Sequence, residues 1–335
     1  MVRDPAAPIR RSEGRLMTTS LATTIALIAP LCGATAQPPA SAIGATPLSP
    51  TYQGKKHIPY VGHRLLFVWS GDIAGDDVET NRLLRFARTR RIDTIAIGAY
   101  DVGYDNPNGI ANYTDFVNRA HDLGIDVLAL GGCGWFTVPC DAGIPGQDTC
   151  WDEGWGYYET IALSGVPFDG IFDDSEPYSA NNDDWWARVE ERSQNFIDYL
   201  RGVDERIGAL PFYHAIPFWY DENPDLLLTI DGETEPHTLN WYVARLVDTP
   251  SIMAYRDHAE APDGILDHTV GEIEMHPAVI GVETADVSPA KITFWDEGYY
   301  AMERELEEVY AAYGAHPNFR GFFIHDYDAY QGLMP

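Results

Sequence analysis

An α/β chain closed as a single (β/α)8 barrel is predicted by three observations. Eight apolar runs of strand length recur from residue 65 onward, and helix-like stretches separate most of them. The runs are continuous rather than alternating, as in parallel strands buried on both faces. Eight such units in about 265 residues match the size of this barrel. The rival, a doubly wound open sheet, would carry a Gly-rich phosphate turn after an early strand. Gly71-Asp-Ile-Ala-Gly75 follows the first run but lacks that G-x-G-x-x-G spacing.

The strands are expected to start near Leu65, Asp93, Asp126, Phe168, Leu210, Ser251, Ala278 and Arg320. Active sites of such barrels lie at the C-terminal ends of the strands, so each end is where chemistry is sought. The first ends at Trp69-Ser70-Gly71-Asp72 and the second at Tyr100-Asp101. The third leads to Trp135, and the fourth ends at Asp174, Glu176 and Tyr178. The fifth contains His214 and reaches Trp219-Tyr220, and the sixth ends at Tyr255-Arg256-Asp257. The seventh ends at Glu283, and the eighth at His325-Asp326, with the C-terminus soon after. Among the helices, residues 184–207 place Trp186, Val189, Phe196, Leu200, Val203 and Ile207 near helical spacing. Residues 296–314 do so with Tyr299, Met302, Leu306, Val309 and Tyr313. No second domain is visible, so the barrel is expected to occupy 61–335.

The chain has 335 residues, 45% of them hydrophobic, enough for one large core. Its net charge is −29, and Lys55, Lys56 and Lys291 are its three lysines. Nucleic acid needs clustered cations on the protein, so it is excluded as a partner, and an anionic membrane surface or polyanionic substrate is disfavoured. The bland counterpart of so much acid is a well-solvated surface.

Residues 1–36 have the pattern of a cleaved export signal: Arg10, Arg11 and Arg15, an apolar run from about Met17 to Leu31, then Ala34-Thr-Ala36. The run is too short for a membrane span. Lipidation at Cys32 is the weaker alternative, since Pro30-Leu31 stand where small residues are wanted. Residues 37–60, rich in Pro, Ala, Ser and Gly, are expected to form a tether. A secreted or periplasmic location follows as an expectation, and it permits disulfides. Cys140 and Cys150 bracket a loop with Gly and Pro and are the expected pair, leaving Cys133 as a buried thiol. The cysteine spacing matches no common zinc pattern. The first strand has no H-x-H and the ten His are scattered, so neither metal nor cofactor is expected.

The fourth run carries the chemistry. In Phe168-Asp-Gly-Ile-Phe-Asp-Asp-Ser-Glu-Pro-Tyr178, Phe172, Asp174 and Glu176 share one parity and would face one way. A carboxylic acid beside a carboxylate suits general acid catalysis, one group holding a proton while the other stays charged. A glycosidic bond needs such a proton on its leaving oxygen. The other strand ends supply aromatic and polar groups for a sugar's apolar faces and hydroxyls. Trp69, Tyr100, Trp135, Tyr178, His214, Trp219, Asp257, His325 and Asp326 are therefore candidate substrate contacts, and Tyr255 and Glu283 candidate catalytic groups. Their structural counterparts are packing rings, a satisfied buried His, and acids that cap helices.

This strand resembles the signature strand of the family 18 glycoside hydrolases, the chitinase-like group. Asp169-Gly170 matches its opening, and Asp174 and Glu176 its last two acids. Met253-x-Tyr255 resembles the same family's Met-x-Tyr. The resemblance implies Glu176 as general acid, Asp174 orienting a substrate N-acetyl group, Tyr255 binding its carbonyl, and the substrate supplying the nucleophile. Phe172 stands in place of the first acid of the set, and Ser175 where an aromatic is usual. A second resemblance is to retaining glycosidases with Glu-Pro after strand four and another Glu after strand seven. It implies Glu176 as acid/base and Glu283 as covalent nucleophile. The last two strands also look like those of uncharacterised secreted bacterial barrel proteins of the glycosidase superfamily. The expected function is a secreted glycoside hydrolase acting on poly- or oligosaccharide. The alternative is a non-catalytic glycan-binding barrel, for which Phe172 is the argument.

Overall fold

A computed structural model describes residues 63–334, save 105, 145 and 148. The expected export signal, the tether and Cys32 lie outside the described residues. The barrel strands are β1 (Arg64–Val68), β2 (Thr94–Gly98), β3 (Asp126–Gly131), β4 (Gly170–Asp173), β5 (Phe212–Pro217), β6 (Thr249–Met253), β7 (Ala278–Glu283) and β8 (Phe319–His325). They pair in chain order, all parallel, and close with β8 against β1. Leu66 lies opposite Ile95 on one side and Ile324 on the other. The (β/α)8 barrel expected from the pattern of apolar runs is thus the observed fold.

A helix follows each strand: α1 (Asp77–Arg90), α2 (Pro107–His121), α3 (Trp151–Leu163), α4 (Val189–Ile207), α5 (Leu239–Val243), α6 (Val270–Met275), α7 (Tyr299–Tyr313) and α8 (Tyr327–Gly332). Local chemistry sets their ends. The Asp76 carboxylate caps α1 by accepting the N–H of Val78 and Glu79. The single helix expected over 184–207 is broken at Arg188, whose φ of −133° leaves the helical region. A short turn, Asn182–Ala187, precedes α4 there, and Arg188 and Arg192 both reach back to Asp184. β4 begins at Gly170, because Asp169 is a lead-in whose carboxylate accepts the Val127 N–H at 2.7 Å. A two-stranded antiparallel hairpin, Leu227–Leu228 with His237–Thr238, interrupts the β5–β6 connection. Strands that short leave no periodic signal.

Two apolar layers hold the barrel. The outer one lies between strands and helices, and Leu83, Phe116, Phe196 and Leu306 are fully buried in it. The inner one fills the barrel with Leu65, Phe67, Leu128, Leu130, Phe172 and Phe323. Phe67 and Phe172 meet edge to face with centroids 4.6 Å apart. Arg64 joins β1 to α7 through a buried, two-pronged ion pair with Glu303, at 2.7 and 2.8 Å.

Cys140 and Cys150 form a disulfide, Cα atoms 4.9 Å apart, as expected. Cys133 is not the free thiol expected; it too is disulfide-bonded. Among the described residues no helix is long and apolar enough to cross a membrane.

Candidate active site

β4 delivers the acids to the barrel mouth. Phe172 is the last inward residue within the strand, and Asp174 and Glu176 continue its parity beyond it. Pro177 then starts a short helical turn, Pro177–Ala180, with its fixed φ and missing N–H. Glu176 occupies the capping position but its side chain caps nothing, so the carboxyl is left to face the mouth. Gly132, at φ +153°, lets the chain leaving β3 lie against this turn: a Cβ there would sit 2.5 Å from the Asp174 carbonyl carbon.

Glu176 is 7% exposed, and its Oε2 makes no well-formed hydrogen bond among the described residues, the Tyr178 hydroxyl interacting with the carboxyl only loosely. Burial, followed by the charge of Asp174, pushes its pKa up to about 8; Tyr178 and His325 pull the other way. Burial also lifts Asp174 to about 6, against the pull of His325 and His214 and with the push of Asp173. The apolar floor explains why desolvation leads in both. Phe172 belongs to that floor, in the inner layer below Asp174. Between these two values Glu176 holds a proton while Asp174 is charged.

Glu283, at the end of β7, is built differently. Its Oε1 accepts the N–H of Thr284 and of Ala285, both at 2.7 Å, and its Oε2 pairs with Nδ1 of His325 at 2.8 Å. Burial opposes its charge, but His325 and those two N–H groups outweigh it and lower the pKa. His325 faces Glu283 directly across the β7–β8 register. Its Nε2 accepts the indole N–H of Trp69 at 3.0 Å. Burial disfavours the imidazolium, yet the charges of Glu283, Asp326 and Asp174 push the ring up to about 9. Trp69 works against this, because a proton on Nε2 would set N–H against N–H.

Tyr255 is buried in the inner layer beside His325, ring centroids 6.2 Å apart. Its hydroxyl is held far above its ordinary pKa by burial and then by Glu283, Asp174 and Glu176, so it stands among all three acids as a neutral donor. Tyr100 feels Asp174, and Tyr178 feels Glu176, in the same way. Four buried polar atoms at this mouth make no well-formed hydrogen bond among the described residues: Tyr100 Oη, Asp174 Oδ1, Glu176 Oε2 and Tyr178 Oη, the side chains of the last two interacting only loosely with each other. Buried polar groups are normally satisfied, so a polar ligand is what such a set would accommodate.

The structure thus gathers Asp174, Glu176, Tyr255, Glu283, His325, Trp69, Tyr100 and Tyr178. Trp219 touches the cluster through Tyr178, ring centroids 5.0 Å apart. The other candidates go elsewhere. His214 is a correction: it lies on the outer face of β5, buried under the helices and paired with Asp173 at 2.9 Å. The charge of Asp326 helps raise Tyr255 and His325, but its carboxylate caps α8 on the N–H of Ala329. The Asp257 carboxylate pairs with His258 at 2.7 Å. Trp135, in a short turn after β3, packs on the outer layer. Tyr220, close enough to Glu176 to feel its charge, was not singled out from sequence, although it follows Trp219 at a strand end.

No family model and no curated protein matches the chain. Solved structures similar to it include a chitinase from Rhizomucor miehei, 12% identical with a TM-score of 0.45, covering 79% of this chain and 95% of that one. A class V chitinase mutant from Cycas revoluta in complex with (GlcNAc)3 is 12% identical with a TM-score of 0.47, covering 79% and 94%. The PgaB (BpsB) glycoside hydrolase domain from Bordetella bronchiseptica is 12% identical with a TM-score of 0.47, covering 81% and 95%. Likeness at this level bears on neither activity nor substrate.

Proposed function

We propose that the chain is a secreted, retaining glycoside hydrolase of oligo- or polysaccharides with Glu176 as general acid. The observation that carries this is the Glu176 carboxyl: buried, without a well-formed hydrogen bond at Oε2, and favouring its protonated form beside an ionisable Asp174. The disulfide and the N-terminal signal pattern support export.

Glu176 gives its proton to the leaving glycosidic oxygen as the bond to the anomeric carbon breaks. The carbonyl oxygen of a substrate 2-acetamido group attacks that carbon from the opposite face, giving a cyclic oxazolinium ion. Ionised Asp174 accepts the acetamido N–H and Tyr255 donates to its carbonyl oxygen. Water then opens the ring as the Glu176 carboxylate takes its proton. The engaged state of Glu283 favours this route over a covalent glycosyl-enzyme. Both of its oxygens already accept strong donors, which lowers the basicity of a nucleophile.

The test is a panel of matched glycans with and without 2-acetamido groups, with Glu176→Gln as control. Hydrolysis confined to the acetylated set, and lost in the variant, is the expected result. Equal turnover of both sets would overturn the acetamido route. Tight binding with no turnover anywhere would make the protein a glycan-binding barrel.

A further inference from the structure

Behind the acid pair, on the helix side of the barrel wall, lies a second carboxylate that the proposed chemistry does not use. Asp173 points outward from β4 and is fully buried. Its Oδ1 accepts the hydroxyls of Tyr158 and Ser175 at 2.6 Å each, and of Tyr199 at 3.2 Å. Its Oδ2 accepts Nδ1 of His214 at 2.9 Å. These donors come from α3, α4, β5 and the acid turn itself. Ser175 also accepts the N–H of Cys133 at 3.1 Å, which ties in the end of β3. The other ring nitrogen of His214, Nε2, is buried with no hydrogen-bond partner among the described residues.

The arrangement converges on one short segment. Asp173 and Ser175 flank Asp174, and Ser175 and Pro177 flank Glu176. Fixing residues 173 and 175 from outside leaves the two acids between and beside them little freedom to turn. Such preorganisation matters because a small misplacement of a catalytic group costs rate steeply.

We infer that Asp173 is the positioning residue of the acid pair, holding the Asp174–Ser175–Glu176 turn from behind the barrel wall through Ser175, His214, Tyr158 and Tyr199. The inference rests on Glu176 and Asp174 being the catalytic acids. It also accounts for Ser175, which stands where the resembled signature has an aromatic: a hydroxyl there completes the buried carboxylate's donor set. Electrostatics run in the same direction. Asp174 is faced by Asp173 and His214 from behind, by His325 at the end of β8, by Tyr255 just past β6, by Tyr100 just past β2, and by Glu176. Of these, Asp173 raises the Asp174 pKa and both His lower it.

The experiment is a carboxyl 13C NMR titration of Asp174 in the full chain, assigned with Asp174→Asn, together with kinetics on the best glycan substrate. Asp173→Asn removes the rear charge and the carboxylate partner of His214, so the Asp174 midpoint is expected to move. The same variant should lose about tenfold or more in kcat with KM little changed. His214→Asn keeps an N–H where Nδ1 was and should retain much more kcat than His214→Ala. If Asp173→Asn does not fold, Ser175→Ala, which removes a single donor, should lower kcat with its KM and fold intact. An unmoved Asp174 midpoint, or unchanged kcat in folded Ser175→Ala, would overturn the inference. Absence of any hydrolysis by the wild-type chain would overturn the glycosidase reading instead, and the titration remains readable in that case.

Discussion

Trp69 donates its indole N–H to Nε2 of His325 across 3.0 Å, and Glu283 meets the other ring nitrogen at 2.8 Å. An indole nitrogen can only donate. The contact therefore favours the form with its proton on Nδ1 and a lone pair on Nε2. The surrounding acids favour a second proton, so Trp69 is what opposes it. Trp69→Phe should raise the pKa of His325. Ring 15N or 13C shifts followed through a pH titration check this, and an unchanged midpoint would show that the indole contact is incidental.

Glu176→Gln keeps the shape of the side chain and removes its transferable proton. Hydrolysis should fall by about 10²–10⁴-fold, with circular dichroism and substrate binding preserved. Near-normal turnover would move the general acid elsewhere.

The acid pair also sets a pH window. The proposed mechanism needs Asp174 ionised and Glu176 protonated, so kcat/KM should peak between about 6 and about 8. Stability follows from the same shifts. Both groups hold protons more tightly folded than unfolded, so their contribution is full at low pH and is lost as pH rises through about 6 and then about 8. Glu176→Gln escapes the cost of a buried charge. Its melting temperature should exceed wild type by a few degrees near about pH 8.5, and the gain should vanish near about pH 4. A pH-independent difference would mean that Glu176 is not buried in this way.

The Cys140–Cys150 link closes a loop with a sequence separation of 10. In the chain-entropy model that is about 3 kcal/mol, so the double Cys→Ser variant should melt roughly 6–12 °C lower. Catalysis should be little altered, because none of the clustered groups lies in that loop. An unchanged melting temperature would place the loop outside the cooperative unit.

Much of this was legible in the sequence because the relevant signals are local. Apolar runs at regular intervals gave the barrel, and acids at the end of an apolar strand gave Asp174 and Glu176. What failed was orientation. Leu210-Pro-Phe-Tyr-His-Ala-Ile-Pro-Phe-Trp219 is apolar on both faces, so nothing in it says that His214 points outward. The same ambiguity hid Asp173, whose parity is opposite to that of the acids it supports. The tie of Glu283 to His325 spans 42 residues and exists only once β7 and β8 are placed side by side. Asp257 and Asp326 stood at the right strand ends but had nearer partners in His258 and the first turn of α8.

The aromatic filling of the barrel has a further consequence for traffic. With Phe67, Phe172 and Phe323 packed across the interior, the acids stand on an apolar floor that fills the barrel beneath them. On the proposed function, a sugar chain would lie across the mouth and leave by the side it entered. On that same proposal, both fragments of a cut chain would depart over the rim that carries Tyr178 and Trp219.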